Sequence, residues 1–162
     1  MKLLVILQLT VLLALANGTP VFAKKILGDH LAYPVDGGIG FFDGRPLFGK
    51  SKTIRGILLS LAITTLGAPL IGLAPEIGAL VAGGAMAGDL CSSFLKRRMN
   101  LQASSQAIGI DQIPESLLPL IICRSLLALT VAEIAVTVSI FFIGELLLSR
   151  LLYSVHLRDQ PY

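Results

Sequence analysis

Charge is scarce in this sequence. Only 14% of the residues are Asp, Glu, Lys or Arg, against about 25% in soluble domains. With 54% hydrophobic residues in a chain of 162, that shortage excludes a large soluble domain and leaves one compact integral membrane unit. Cysteine is nearly absent. Cys91 and Cys123 lie in or beside apolar runs without metal-ligand spacing, and read as small apolar fillers rather than as a disulfide. His30 and His156 each stand apart from any Ser or Cys pattern, which leaves no recognisable histidine-based nucleophile system. A phosphate-binding loop is missing as well. The stretch Phe48-Gly49-Lys50-Ser51-Lys52-Thr53 holds a GKSKT run without the G-x-x-x-x-G-K-[ST] spacing or a preceding strand. No internal repeat relates the two halves, which argues against a small transporter.

What the sequence does hold is long apolar runs. We expect an all-α, polytopic membrane helix bundle forming a single domain over 1–162. Its spans fall at about 3–23, 56–73, 77–95, 114–130 and 133–154, with loops 24–55 and 96–113 between them. Asn17-Gly18-Thr19-Pro20 should break the inner end of the first span. A signal peptide is the rival for that segment, with Lys2 as its positive start and Val21-x-Ala23 as a cleavage site, but the cations downstream favour a retained span. Loop 26–53 carries turns at Asp36-Gly37 and Asp43-Gly44, and its aromatics suggest that it packs against something. Ala74-Pro75-Glu76 reads as a tight turn. The third span, dense in Gly and Ala, should sit at the centre of the bundle and admits a homodimer. The run 114–155 would be roughly 60 Å long as one helix, so it must fold into two, with Glu133 as the best marker of the turn. Five spans put the N-terminus outside and the C-terminus in the cytoplasm. Of 13 Lys and Arg residues, all but Lys2 and Arg124 then fall on the cytoplasmic side or at its boundary.

That face gathers the candidate chemistry. Lys52 and Arg55 abut the start of the second span, and Lys96, Arg97 and Arg98 end the third. Cations so placed repel unless an anion lies between them, and a nucleoside triphosphate or a lipid phosphate would supply one. Asp89 lies about two helical turns before Lys96, inside the membrane, where a carboxylate is costly and marks a site. With Asp111 opening the next span, it suits Mg²⁺, which prefers hard oxygen ligands. The plainer reading is that the cations touch lipid head groups while Asp89 packs against a hydroxyl. Arg124 and Glu145 could pair within the membrane, or Glu145 could lie near the cytoplasmic site.

Three ordered stretches carry a resemblance. They are Asp43-Gly44-Arg45-Pro46-Leu47-Phe48-Gly49-Lys50-Ser51-Lys52-Thr53-Ile54-Arg55-Gly56, then Gly88-Asp89 through Ser93-Phe94-Leu95-Lys96-Arg97-Arg98, then Ile110-Asp111-Gln112-Ile113-Pro114-Glu115. They resemble the CarS-like membrane cytidylyltransferases, the CDP-archaeol synthases, which are distantly similar to the CDP-diacylglycerol synthases. The ending Leu157-Arg158-Asp159-Gln160-Pro161-Tyr162 also looks like that family's C-terminus. One departure is Ile54, where the family commonly has Trp; this chain has no Trp at all. The resemblance implies a CTP-dependent transfer to a phosphorylated glycerolipid with Mg²⁺ as cofactor, releasing pyrophosphate. It implies Asp89, Lys96 and Lys52 as the catalytic set and Asp89 and Asp111 as metal ligands. Lys52, Arg55, Lys96, Arg97 and Arg98 would hold phosphates, while Asp43 and Arg45 shape the loop over the nucleotide. No nucleic-acid partner is expected. The alternative is a non-catalytic membrane protein that binds anionic lipid or a partner through its basic face.

Overall fold

The structure is a computed structural model that describes residues 2–102, 105 and 107–154, without the Leu152 side chain. The C-terminal stretch 157–162 and His156 lie outside the described residues. The fold is all-α. Five helices follow in order: α1 (Leu3–Leu27), α2 (Ile54–Gly67), α3 (Pro75–Arg98), α4 (Gln112–Cys123) and α5 (Val131–Ser154), with a 3₁₀ turn at Pro69–Ile71 between α2 and α3. Among the described residues, four segments are long and apolar enough to cross a bilayer: α1, α2 with its 3₁₀ turn, α3 and α5. Leu4, Leu7, Leu66, Leu70, Ile121, Ile143 and Leu147 point their apolar side chains outward. A bundle that is apolar on its outer surface as well as its inner one is built for lipid. This is an integral membrane protein.

Helix α3 packs against α1, α2 and α4, and its small residues are the reason. A Cβ on Gly84 would come within 2.6 Å of the Pro119 Cα, and one on Gly88 would collide with the Pro114 carbonyl, so α4 lies directly on α3. Gly78 does the same towards α2, where a Cβ would stand 2.8 Å from that of Ala68. Helix α1 closes the core with Ile6, Leu9, Leu12, Leu13 and Ala16, all fully buried. Both cysteines are free. Cys123 is buried, whereas Cys91 is exposed on α3 and fills no core space.

Three local expectations change. Asn17-Gly18-Thr19-Pro20 does not break α1, which runs unbroken through Pro20. Proline takes away the amide that would bond the Ala16 carbonyl, and the buried Ser60 hydroxyl of α2 donates to that carbonyl instead, at 2.8 Å. The turn before α3 is not Ala74-Pro75-Glu76. It comes earlier, at Pro69–Ile71 with Gly72 left-handed (φ 80°), and Pro75 is already the first residue of the helix. Helix α4 stops at Cys123. Its chain then winds into a Schellman turn in which Ala128 (φ 46°) takes the left-handed position, with Leu129 N donating to Arg124 O at 2.9 Å.

Helix α5 starts on a capping box. Thr130 Oγ1 accepts from Glu133 N at 3.2 Å, and Glu133 Oε2 accepts from Thr130 N at 3.0 Å. The same end of the bundle holds the N-terminus of α1. Lys2 N donates to Glu133 Oε1 at 2.6 Å, and Lys2 Nζ to the Leu127 carbonyl at 2.8 Å. The stretch from α4 through its turn therefore reaches the end of the bundle opposite the loops 28–53 and 99–111.

Candidate functional site

The loop after α1 folds back on itself. Val35 N donates to Lys52 O at 2.8 Å and Ile54 N to Tyr33 O at 3.0 Å, so the two ends of the loop form a clip. Asp36 fills its inside. One carboxylate oxygen accepts from Phe48 N (3.0 Å) and Gly49 N (2.9 Å), and the other from Gly38 N (3.0 Å). Burial on its own would push this carboxyl up, but the amides of Gly49, Phe48 and Gly38 outweigh it and hold the group below the usual carboxylate range. The clip ends on Thr53, whose hydroxyl caps α2 by accepting from Gly56 N at 3.2 Å. Lys52, the residue before that cap, is thereby aimed into the bundle.

A second hairpin, closed by the bridge between Gly40 and Pro46, clasps the end of α3. Arg98 donates to Asp43 (2.6 Å) and to the Pro46 carbonyl (2.7 Å), and lies over the rings of Phe41 and Phe94. Arg45 donates in the opposite direction, to the Arg98 carbonyl at 2.8 Å. Each arginine satisfies carbonyls of the other element, and Arg45 also places a cation at the negative end of α3.

Between the clip and the helices lies a cavity of about 680 Å³. All five helices line it. Helix α1 contributes Asn17, Pro20, Val21 and Lys24; α2 contributes Arg55 and Ile57; α3 runs from Met86 through Asp89 to Lys96 and Arg97; α4 contributes Gln112 and Glu115; and α5 contributes Glu145 and Ser149. Its lining combines apolar side chains, Pro20, Val21, Ile57, Met86 and Leu90, with polar and charged ones.

Of the residues expected from the sequence, the cavity collects Lys52, Arg55, Asp89, Lys96, Arg97 and Asp111. Asp43, Arg45 and Arg98 stand outside its lining, in the clasp. Lys52 forms an ion pair with both oxygens of Asp89. The two side chains are 22% and 19% exposed, and that open surface belongs to the cavity. Burial works against the Lys52 charge, but Asp89 above all, then Glu115 and Asp111, outweigh it and hold its ammonium above the usual range. Lys96 pairs with Asp111 at 2.6 Å and also donates to the Ser105 carbonyl at 3.0 Å. Arg97 donates to the Gln102 carbonyl at 2.7 Å, and Arg55 to the carbonyls of His30 and Gly28. The expected repulsion between the two basic groups is thus answered by the protein's own acids and carbonyls. An anion entering here would exchange with these partners instead of filling a gap between bare cations.

Two acids that the expected set left out belong to the site. Glu115 lies close enough to Asp89 for each carboxyl to act on the other, and Glu145 close enough to Glu115 to act on it electrostatically. Arg124 is exposed in the turn at the far end of α4, away from Glu145. Two carboxyls side by side need either a shared proton or a cation between them. Lys52 supplies that cation in this structure; were its ammonium turned to a phosphate, Asp89 and Glu115 would fit a hard divalent ion, which commonly takes one or two carboxylates and completes its shell with water and substrate phosphates. Among the described residues no group of three His, Cys, Asp or Glu gathers on one point. Asp111 is turned towards Lys96 and accepts from Ala107 N at 2.9 Å.

Comparison with known proteins follows this geometry. A family model, CarS-like: CDP-archaeol synthase, matches residues 74–162. The chain is 42% identical over 107 residues to the CDP-archaeol synthase of Pyrococcus furiosus, covering 60% of each. It is 33% identical over 158 residues to that of Sulfurisphaera tokodaii, covering 91% of this chain and 89% of the other. The matched segment spans about three fifths of the Pyrococcus and Thermococcus onnurineus relatives, 60% and 61%. A solved intramembrane enzyme for archaeal membrane lipid biosynthesis superposes with a TM-score of 0.72 at 28% identity, over 85% of this chain and 90% of that one.

Proposed function

Because the chain belongs to the CarS-like family, we propose that it is a CTP-dependent cytidylyltransferase that activates a phosphorylated glycerolipid of the archaeol type. One observation carries the reading: a single cavity among the membrane helices is lined both by Lys52, Asp89, Lys96 and Glu115 and by the apolar Pro20, Val21 and Ile57. A phosphate on an apolar tail and a charged nucleotide need such a place, polar on one side and greasy on the other. In the reaction an oxygen of the lipid phosphate attacks the α-phosphorus of CTP. The bond from that phosphorus to the bridging oxygen breaks, and pyrophosphate leaves with the electron pair. No covalent enzyme intermediate is required, so alignment and charge neutralisation supply the rate.

Lys52, Lys96 and Arg97 would neutralise the phosphates, each exchanging a carboxylate or carbonyl partner for a phosphate oxygen. Asp89 and Glu115 would hold Mg²⁺, with Asp111 setting the Lys96 ammonium. When bound, Mg²⁺ supplies Lewis-acid stabilisation of the charge that develops on the phosphates. Asp43, Arg45 and Arg98 would keep the loop over the nucleotide, and Arg55 would fix the start of α2. The site is proposed to face the cytoplasm, with the N-terminus outside, because the Lys and Arg residues concentrate at that end. The small-residue surfaces are compatible with a homodimer.

The test uses purified protein, labelled CTP, Mg²⁺ and a panel of lipid phosphates that includes an archaeol-type ether lipid and phosphatidate. We expect CDP-lipid from the wild type and a loss of about 10²-fold or more in Asp89→Asn. Folded protein that makes no product from any lipid would leave the anionic-lipid-binding reading.

A further inference from the structure

We propose that Asp36, which lies outside the cavity, is a positioning residue that sets Lys52 against Asp89 by stapling the loop from within. Its role in the reaction rests on the proposed cytidylyltransferase reading, whereas its action on Lys52 does not. The carboxylate takes three backbone amides, from Gly38, Phe48 and Gly49. Two of these sit at the start of the run that delivers Lys52. From Gly49 the chain makes one tight turn, with Lys52 N donating to Gly49 O at 3.2 Å, and on its other side Lys52 O accepts from Val35 N, the neighbour of Asp36. The lysine backbone is therefore tied to both ends of the Asp36 staple. Gly37 and Gly38, at φ 57° and 80°, let the chain curl tightly enough for the carboxylate to meet its own loop.

Among the described residues Asp36 forms no ion pair, and three backbone amides hold it in place. Three amides converging on one anion form a rigid nest. Without the anion they would point at one another across a buried space, and the loop would have to open to hydrate them. Opening moves Gly49, and with it Lys52. A misplacement of about 1 Å in a group that aligns a substrate is enough to cost up to ~10²-fold in rate.

The experiment compares wild type, Asp36→Asn and Asp36→Ala in the full chain, with Asn as the conservative variant that keeps one acceptor oxygen. Two readouts need no CTP. Hydrogen exchange of the 37–49 segment should be slow in wild type, faster in Asp36→Asn and fastest in Asp36→Ala. Acylation of Lys52, followed by mass spectrometry, should accelerate about tenfold or more in Asp36→Ala while Lys24 reacts as before. The third readout is kinetic. Asp36→Ala should raise KM for CTP as well as lower kcat, for a loss of about tenfold to 10²-fold in kcat/KM, and Asp36→Asn should recover part of both changes. Lost active fraction alone would lower kcat and leave KM in place. Unchanged exchange and Lys52 reactivity in Asp36→Ala would overturn the proposal, as would faster exchange with unaltered Lys52 reactivity. A wild type that makes no CDP-lipid would sink the enzymatic reading while the first two readouts still decided the staple.

Discussion

Asp43 and Arg98 meet at 2.6 Å, with Asp43 38% exposed, so their pair stands partly in water. A double-mutant cycle with Asp43→Asn and Arg98→Gln, read by thermal melting in detergent, should give a coupling of about 0.5–1 kcal/mol. Arg98→Gln alone should cost more than Asp43→Asn, because it also gives up the Pro46 carbonyl and two aromatic faces. Asp36 has a pH signature. Its folded carboxyl is held below the ordinary value of about 3.9. Its contribution is therefore complete above that value and is lost as the pH falls through the depressed one. Exchange of the Phe48 and Gly49 amides should stay slow to about pH 4 and rise below it, and loss of protection near neutrality would contradict this. At this scale the sequence revealed Asp89, since a carboxylate amid small apolar residues has few innocent explanations. It hid Glu115, which at the start of an apolar run looks like any solvated first-turn acid. Only the packing of Gly88 on Pro114 shows that it meets Asp89.

Among the helices, the contact of α3 with α4 is the most sensitive to side-chain size. Gly84→Ala and Gly88→Ala should each destabilise the protein by about 1–3 kcal/mol, because the methyl meets backbone that cannot step aside. Gly144→Ala, whose Cβ would meet nothing within 4 Å, should be neutral or slightly stabilising. Melting temperatures of the three variants in one detergent decide it. Helix ends were legible where their chemistry was ordinary. Glu133, taken as the marker of the turn, does open α5 as part of the Thr130-x-x-Glu133 capping box, although Pro75, expected in a turn, proved to be a first helical residue. They were not legible where an unusual residue took the usual role. Ala128 fills a left-handed position that glycine normally signals, so the end of α4 went unannounced. Pro20 reads as a break because the compensating hydroxyl, Ser60, lies 40 residues away in sequence and beside it only in space.

For the whole molecule, orientation is the first property to fix. With Cys91 and Cys123 replaced, a cysteine at Ser125, in the turn after α4, should react in intact cells with a membrane-impermeant maleimide. A cysteine at Tyr33, in the loop after α1, should react only after the membrane is opened. The reverse pattern would invert the proposed topology. The bundle itself was readable from where the apolar runs begin and end, because bilayer thickness bounds each of them. Of the share of α5 in the site, Glu145 was one of two readings the sequence left open and does line the cavity, whereas Ser149 was not readable, since it reaches the cavity only once α5 has folded back. That the cavity draws a wall from every helix has a consequence for how the protein is made. A ribosome delivers Lys52 and Asp89 well before Glu145, so the nascent chain enters the bilayer carrying a half-built polar chamber. The proposed cytidylyltransferase would become competent only once α5 has entered the bilayer, and a product truncated before α5 should be membrane-bound and inert.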